Sequence, residues 1–174
     1  MDIFSPEKRR RIMAAIGSKD TRPEMAVRRY LFALGFRYRL NHGRLPGKPD
    51  VVLRKYRTCI FVNGCFWHGH DGCRMAHLPK TNTAFWEEKI SRNKLRDADV
   101  QRRLAAMGWH CITVWECELA PKRREETLRR LEFTLNRIFL TDRAMTYSLP
   151  EEESQMAAES DSHSFFVRGS DTDV

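Results

Sequence analysis

The stretch Thr58-Cys59-Ile60-Phe61-Val62-Asn63-Gly64-Cys65-Phe66-Trp67-His68-Gly69-His70-Asp71-Gly72-Cys73 decides how the chain is read. Thr58 to Val62 form a continuous run of strand-forming residues, the pattern of a central strand covered on both faces. From Asn63 to roughly Asn82 the periodicity disappears, and Cys, His, Gly and Pro take over. A loop of that length inside a compact domain is usually functional. Zinc takes four soft or borderline ligands at a tetrahedron, usually from two chain segments. Cys65 and Cys73 are natural thiolates, and the spacing His70-x-x-Cys73 favours His70 over His68 as the imidazole ligand. The fourth ligand needs a second segment, and Cys117 stands just past the last expected strand. Cys59 and Cys111 lie inside apolar strand runs and read as buried thiols. A closed site of four protein ligands is structural and would hold a loop that has little core of its own.

Upstream, Asp50-Val51-Val52-Leu53 reads as a short strand, with a polar turn over Arg54 to Arg57. Phe36, Tyr38 and Leu40 alternate with Arg37 and Arg39, the signature of a half-buried strand. Asn41 to Pro49 is a Gly/Pro-rich loop ending in Lys48-Pro49. Thr21-Arg22-Pro23-Glu24 matches a capping box. It opens a helix whose Val27, Tyr30, Leu31 and Leu34 share one face, and Gly35 stops it. Before it, Ser5-Pro6-Glu7 starts a helix to about Ala15 with a basic face, Lys8 to Arg11. Downstream, a helix is expected from about Thr83 to Met107, with a break near Ser91 and Gly108 at its end. Trp109 to Trp115 reads as a buried strand. Lys122 to Leu140 reads as a helix with Leu128, Leu131, Leu135 and Ile138 on one face. The pattern is a mixed α/β domain.

The chain has 174 residues, enough for one domain that buries a sizeable core without disulfides. The expected division is a domain over 1–146 and an acidic tail over 147–174 with too little apolar pattern to fold. Within that tail, Phe165-Phe166-Val167 stands out as a docking patch. No run approaches the roughly 18 apolar residues of a membrane span, and MDIFSPEKRRR has no apolar signal region. Membrane and secreted classes are set aside, leaving a cytosolic protein. Of 31 bases and 23 acids, the last 24 residues hold one base and seven acids. The body therefore carries 30 bases and 16 acids, which suits a polyanion such as nucleic acid. Five cysteines without a signal peptide point to metal binding or burial rather than a disulfide framework.

Several polar and aromatic residues admit two readings. Asp50 caps a strand, or holds Mg²⁺ against a phosphate beside the basic loop. Glu24 is the acid of the capping box, or a supporting carboxylate. Asp97 is one charge among many on its helix, or a second support. His68, between the zinc candidates, would point elsewhere if His70 binds zinc, and could then act as general base for a water. The adjacent aromatics Phe66 and Trp67 either pack under the loop or wedge between base steps, with Trp86 as a third candidate.

Taken together, Thr21-Arg-Pro-Glu24, Pro49-Asp50, Gly64-Cys-Phe-Trp-His68, Phe85-Trp86-x-x-Lys89 and Val114-Trp-Glu-Cys117 are specific. Over roughly residues 5–140 the chain resembles the very-short-patch repair (Vsr) family of bacterial DNA mismatch endonucleases. The resemblance implies a restriction-endonuclease-like α/β core, with a mixed central sheet flanked by helices and a structural zinc site. It implies a strand-nicking, Mg²⁺-dependent phosphodiester hydrolase that cuts 5′ of the T in T:G mismatches left by deaminated 5-methylcytosine. By resemblance, Asp50 is the main Mg²⁺ carboxylate, the Val62 carbonyl a further ligand, and His68 the group that activates water. Glu24 and Asp97 would hold metal-bound waters or orient His68. Cys65, His70, Cys73 and Cys117 would be the zinc set. Phe66, Trp67 and Trp86 would be the intercalating wedge, and the basic helix Pro6 to Ile16 a clamp on the opposite groove. The implied partner is double-stranded DNA bearing a T:G mismatch, with mismatch-repair proteins as further partners. The implied setting is a bacterial cytoplasm and nucleoid, and the implied state a monomer. Two alternatives of other kinds remain: a zinc-stabilised DNA-binding module without catalysis, and an endonuclease for an unmismatched site. The chain departs from pattern twice. The wider nuclease superfamily follows its Pro-Asp with acid-x-Lys on the next strand, which is absent here, and Asn63 stands where the Vsr family often has His.

Overall fold

The computed structural model describes residues 19–147 together with Glu7, Lys8 and Arg11. Those three are helical and exposed. The remainder of the expected basic clamp, and the acidic tail beyond Tyr147, lie outside the described residues. Contacts divide the chain into Met1–Ile138 and Phe139–Val174. The architecture below belongs to the first unit, and the described part of the second, 139–147, is helical.

Helix α1 (Arg22–Ala33) begins where the sequence places it. The Glu24 backbone N–H donates to Thr21 Oγ1, and Pro23 occupies the first turn, where no N–H is needed. Gly35, at φ +84°, turns the chain out of the helix. Four strands follow, β1 (Arg39–Leu40), β2 (Val51–Leu53), β3 (Thr58–Asn63) and β4 (His110–Trp115), in the spatial order β1-β2-β3-β4. The first two pairings are antiparallel, and β3 pairs with β4 in parallel from Thr58↔His110 to Asn63↔Trp115. A parallel pair needs a crossover. Here it contains the 64–82 loop and helix α2 (Thr83–Ala106), and helix α3 (Arg124–Tyr147) follows β4.

Alternation along the strands sorts side chains to two faces. Val51, Leu53, Ile60 and Val114 pack with Val27 and Leu31 of α1 and with Leu128, Leu131 and Leu135 of α3. Val52 and Cys59 pack on the other face with Leu104 of α2 and Leu45. Helices therefore cover a mixed sheet on both sides, the restriction-endonuclease-like arrangement. No helix among the described residues is long and apolar enough to cross a membrane.

Three expectations need correction. The strand over Phe36–Leu40 shrinks to Arg39–Leu40, at the sheet edge, and Leu40 is exposed. Phe36 instead enters the core directly after the Gly35 turn, its ring 5.1 Å from that of Tyr56. Helix α2 runs unbroken through Ser91, which is exposed. A solvent-facing serine carries only a modest helix penalty and does not interrupt the hydrogen-bond ladder. Helix α3 starts at Arg124, after a turn in which Arg123 N–H donates to Ala120 O, and it passes Leu140 to reach Tyr147.

Candidate functional site

Glu24, Asp50, Val62, His68 and Asp97, five residues drawn from four separate segments, line one cavity of about 230 Å³. The sheet brings the first pair together. Asp50 directly precedes β2, and β2 runs antiparallel to β3, so the Val62 N–H donates to Asp50 Oδ2 at 2.8 Å. Burial pushes the Asp50 carboxyl above its ordinary range. The Val62 hydrogen bond opposes that push and Glu24 adds to it, while Arg28 and His68 act against it. A carboxylate that is costly to ionise alone is one that a cation would stabilise.

Glu24 is spoken for on both oxygens. Oε1 accepts from Thr21 Oγ1 at 2.9 Å, and Oε2 accepts from the Asp20 N–H at 3.1 Å and from Arg28 Nη2 at 2.7 Å. Arg28 also pairs with Asp20, and its side chain is only 4% exposed. The capping and cavity readings of Glu24 thus hold in the same side chain, and a buried guanidinium sits behind it. His68 is reached from α2, where Asp97 Oδ2 lies 2.5 Å from its Nδ1. A carboxylate on Nδ1 fixes the tautomer and leaves Nε2 as the basic atom. Asp97 therefore touches His68 directly, whereas Glu24 is held by Thr21, Asp20 and Arg28.

The ligand atoms of Cys65, His70, Cys73 and Cys117 lie within 4.8 Å of one another. His70 Nδ1 is 3.5 Å from Cys65 Sγ and 3.4 Å from Cys117 Sγ, and its ring stacks flat on Trp115 at 4.1 Å. Two segments supply the cluster, the loop after β3 and the turn after β4. Burial pushes the Cys65 thiol up to about 12 and raises Cys117. The Met75 N–H lowers Cys73. Three thiols packed together resist joint ionisation, and a divalent cation removes that resistance. The donor set fits a metal-binding cluster of the structural zinc type. Cys59 and Cys111 pair across β3 and β4; Cys59 is fully buried with its thiol pushed up to about 12, as an inert core thiol should be, whereas Cys111 is only partly buried against it.

Beside the metal cluster the aromatics meet. The Phe66 centroid lies 5.1 Å from that of Trp67 and 5.2 Å from that of Trp86, and the two indoles are 6.0 Å apart. Phe85, 5.2 Å from Trp86 and 55% exposed, is a fourth ring. Lys89 Nζ sits 5.5 Å from the Trp67 centroid and 5.4 Å from that of Trp86. Asn93 Nδ2 donates to the Trp67 carbonyl at 2.8 Å, tying this part of the loop to α2. Phe66, Trp67 and Trp86 are half-buried against one another rather than sunk in the core.

A family model described as DNA mismatch endonuclease Vsr matches residues 1–74. A type II nicking enzyme of Neisseria meningitidis is 52% identical over 121 residues, covering 70% of this chain and 86% of that protein. The chain belongs to the Vsr family. A type II nicking enzyme of Xanthomonas oryzae is 50% identical over 119 residues, 68% of this chain and 87% of its own length. The DNA mismatch endonuclease Vsr of Escherichia coli is 37% identical over 150 residues, 86% of each chain. Within this Vsr-family chain, Asn63 lines the cavity at 9% exposure and brings a neutral amide to that wall.

Sequence reading missed four participants in this Vsr-family site. Arg28 was findable, since it lies four residues after Glu24 on the same helix face. Phe85 adjoins Trp86 in the chain. Nothing local pairs Asn93 with Trp67 or Trp115 with His70, because each acts on a residue more than twenty positions away.

Proposed function

We propose that this protein is a Mg²⁺-dependent DNA endonuclease that nicks 5′ of the T in T:G mismatches, with Cys65, His70, Cys73 and Cys117 holding a structural zinc. One observation carries the reading: Asp50, Glu24 and the paired Asp97–His68 converge on one cavity of a strongly basic body. Three carboxylates facing phosphates would only weaken a module that merely binds DNA. Asp50, with the Val62 carbonyl, would hold Mg²⁺, which when bound offsets phosphate charge and acidifies a water. His68 Nε2 takes the proton of the attacking water. Asp97 keeps the imidazole oriented and stabilises the imidazolium that forms. Arg28 holds the Glu24 carboxylate in place at the cavity wall. Phe66, Trp67 and Trp86 open the mispaired step, which costs less than opening a matched one.

The test is Asp50→Ala. Nicking of a T:G duplex should fall at least about 1,000-fold, an effect of roughly 4 kcal/mol on the barrier. Binding of the same duplex should hold or tighten, because a charge facing phosphate is removed. Normal turnover by Asp50→Ala in Mg²⁺ ends this reading of the cavity.

A further inference from the structure

An incoming phosphodiester brings one negative charge into a cavity already lined by Glu24, Asp50 and Asp97. Attack by water adds a second as the phosphorus becomes five-coordinate. The protein's own cations there are mostly committed. Arg28 is buried on Glu24 and Asp20, Arg96 lies 3.4 Å from Asp97, and His68 is held by Asp97 as well. Strand β3, Thr58 to Asn63, contains no basic residue. Lys48 differs from all of these. It lines the same cavity, it is exposed, and it has no carboxylate partner among the described residues.

The chain holds Lys48 there at a cost. Its backbone is left-handed, at φ +49°, in a residue type that rarely adopts that conformation. Gly47 before it has φ +71°, and a Cβ at Gly47 would come within 2.5 Å of Val100 Cγ1 on α2. The Lys48 N–H donates to Leu45 O, Leu45 is in the core, and Pro49 after it is fully buried. The loop is pinned on both sides of Lys48, two residues before Asp50. Strain kept at the rim of a reactive cavity is commonly tied to what the strained residue does there.

We propose that Lys48 binds the scissile phosphate through its ammonium and stabilises the charge that builds on a non-bridging oxygen during cleavage. The assignment rests on the nuclease reading above. In the step it serves, water forms a new P–O bond and one P–O ester bond breaks. The water's proton goes to His68, and the departing ester oxygen takes a proton from solvent. Lys48 transfers none and stays an ammonium throughout.

The experiment compares wild type, Lys48→Gln, Lys48→Arg and Lys48→Gly on one T:G duplex. It measures single-turnover nicking in saturating Mg²⁺, and the salt dependence of binding without Mg²⁺. Lys48→Gln should nick about 100-fold slower, the scale of losing one donor to a developing oxyanion. Its slope of log affinity against log salt should fall by about one, the loss of one phosphate contact. Lys48→Arg keeps the charge and should recover to within about tenfold of wild type. Lys48→Gly relieves the left-handed backbone, so it should fold at least as stably as wild type and still nick slowly. Lys48→Gln or Lys48→Gly nicking within about threefold of wild type, with an unchanged salt slope, overturns the Lys48 assignment and leaves the nuclease reading standing. A wild type that nicks no T:G duplex overturns both.

Discussion

The cavity and the loop beside it are built in opposite ways. Glu24, Asp50, Val62 and Asp97 stand on or next to regular elements, and each has a protein partner that fixes it: Val62 N–H on Asp50, Asp97 on His68, Arg28 on Glu24. The stretch from Gly64 to Asn82 has no strand and only one three-residue helical turn. Cys65 is its deeply buried residue, and its order is concentrated at the Cys/His cluster, with Asn93 and Lys94 as ties to α2. The cavity is thus organised by the sheet and by ion pairs, and the loop by whatever joins three thiols to an imidazole. Each region should therefore respond to a different perturbation.

The largest effect is expected in the loop. Cys117→Ser removes a ligand supplied from beyond β4, so it cuts the link between the two segments that form the cluster. Structural zinc binding contributes roughly 10 kcal/mol or more of folding free energy in small domains. Wild type should carry one zinc per chain by metal analysis, and the variant should lose it together with its cooperative melt. A zinc-free variant that melts like wild type would mean the loop is held by packing alone.

The cavity should yield next, through Arg28. Its guanidinium pairs with Glu24 and Asp20 inside the fold, and Arg28→Ala leaves the buried Glu24 carboxylate without its counter-charge. Breaking such a pair typically costs about 3–5 kcal/mol. Denaturant melts should show that loss with the zinc content unchanged. Damage to the cavity would then leave the metal cluster intact.

How far each region was legible follows from the range of its contacts. The Cys/His cluster was readable because three of its four members lie within nine residues, from Cys65 to Cys73, and Cys117 falls at an expected strand end. The capping box and Asp50 were readable because helix starts and strand starts have local signatures. The pairing of His68 with Asp97 was not, since those residues are 29 positions apart and meet only once α2 folds back along β3 and β4. The overlong first strand has a related cause. Alternation from Phe36 to Leu40 records which side chains are apolar, but not that Phe36 enters the core before the ladder begins. Lys48 carried no local signal of its left-handed backbone, and Gly47 before it packs close to Val100, a residue far along the chain on α2.

The aromatic group tests the border between the two regions. Phe66 and Trp67 belong to the loop, while Trp86 and Phe85 belong to α2. Stacking of a base on an aromatic side chain is worth about 1–3 kcal/mol. Trp67→Ala should therefore weaken T:G duplex binding by roughly tenfold, and matched-duplex binding far less, with zinc retained. Equal losses on both duplexes in a titration would assign these rings to packing and move mismatch discrimination elsewhere.

The smallest effect concerns the charge on Asp50 before any cation arrives. Burial raises its carboxyl above the ordinary value of 3.8, and Glu24 raises it further. A folded-state value above the unfolded one means that the fold favours the protonated form. The stability tied to that preference is present in full below pH 3.8 and is lost as pH rises through the raised value. At neutral pH, ionised Asp50 is thus a net cost, and Asp50→Asn should melt higher than wild type. Each kcal/mol recovered is worth roughly 2–4 °C for a chain of this size. The gap should close as the pH is lowered through the same window, where both side chains are neutral. Added Mg²⁺ should reverse the order at neutral pH, raising the wild-type melt by mass action and leaving Asp50→Asn where it was. If Asp50→Asn melts below wild type at neutral pH without added Mg²⁺, the Val62 hydrogen bond outweighs the burial, and the cavity was not built to await a cation.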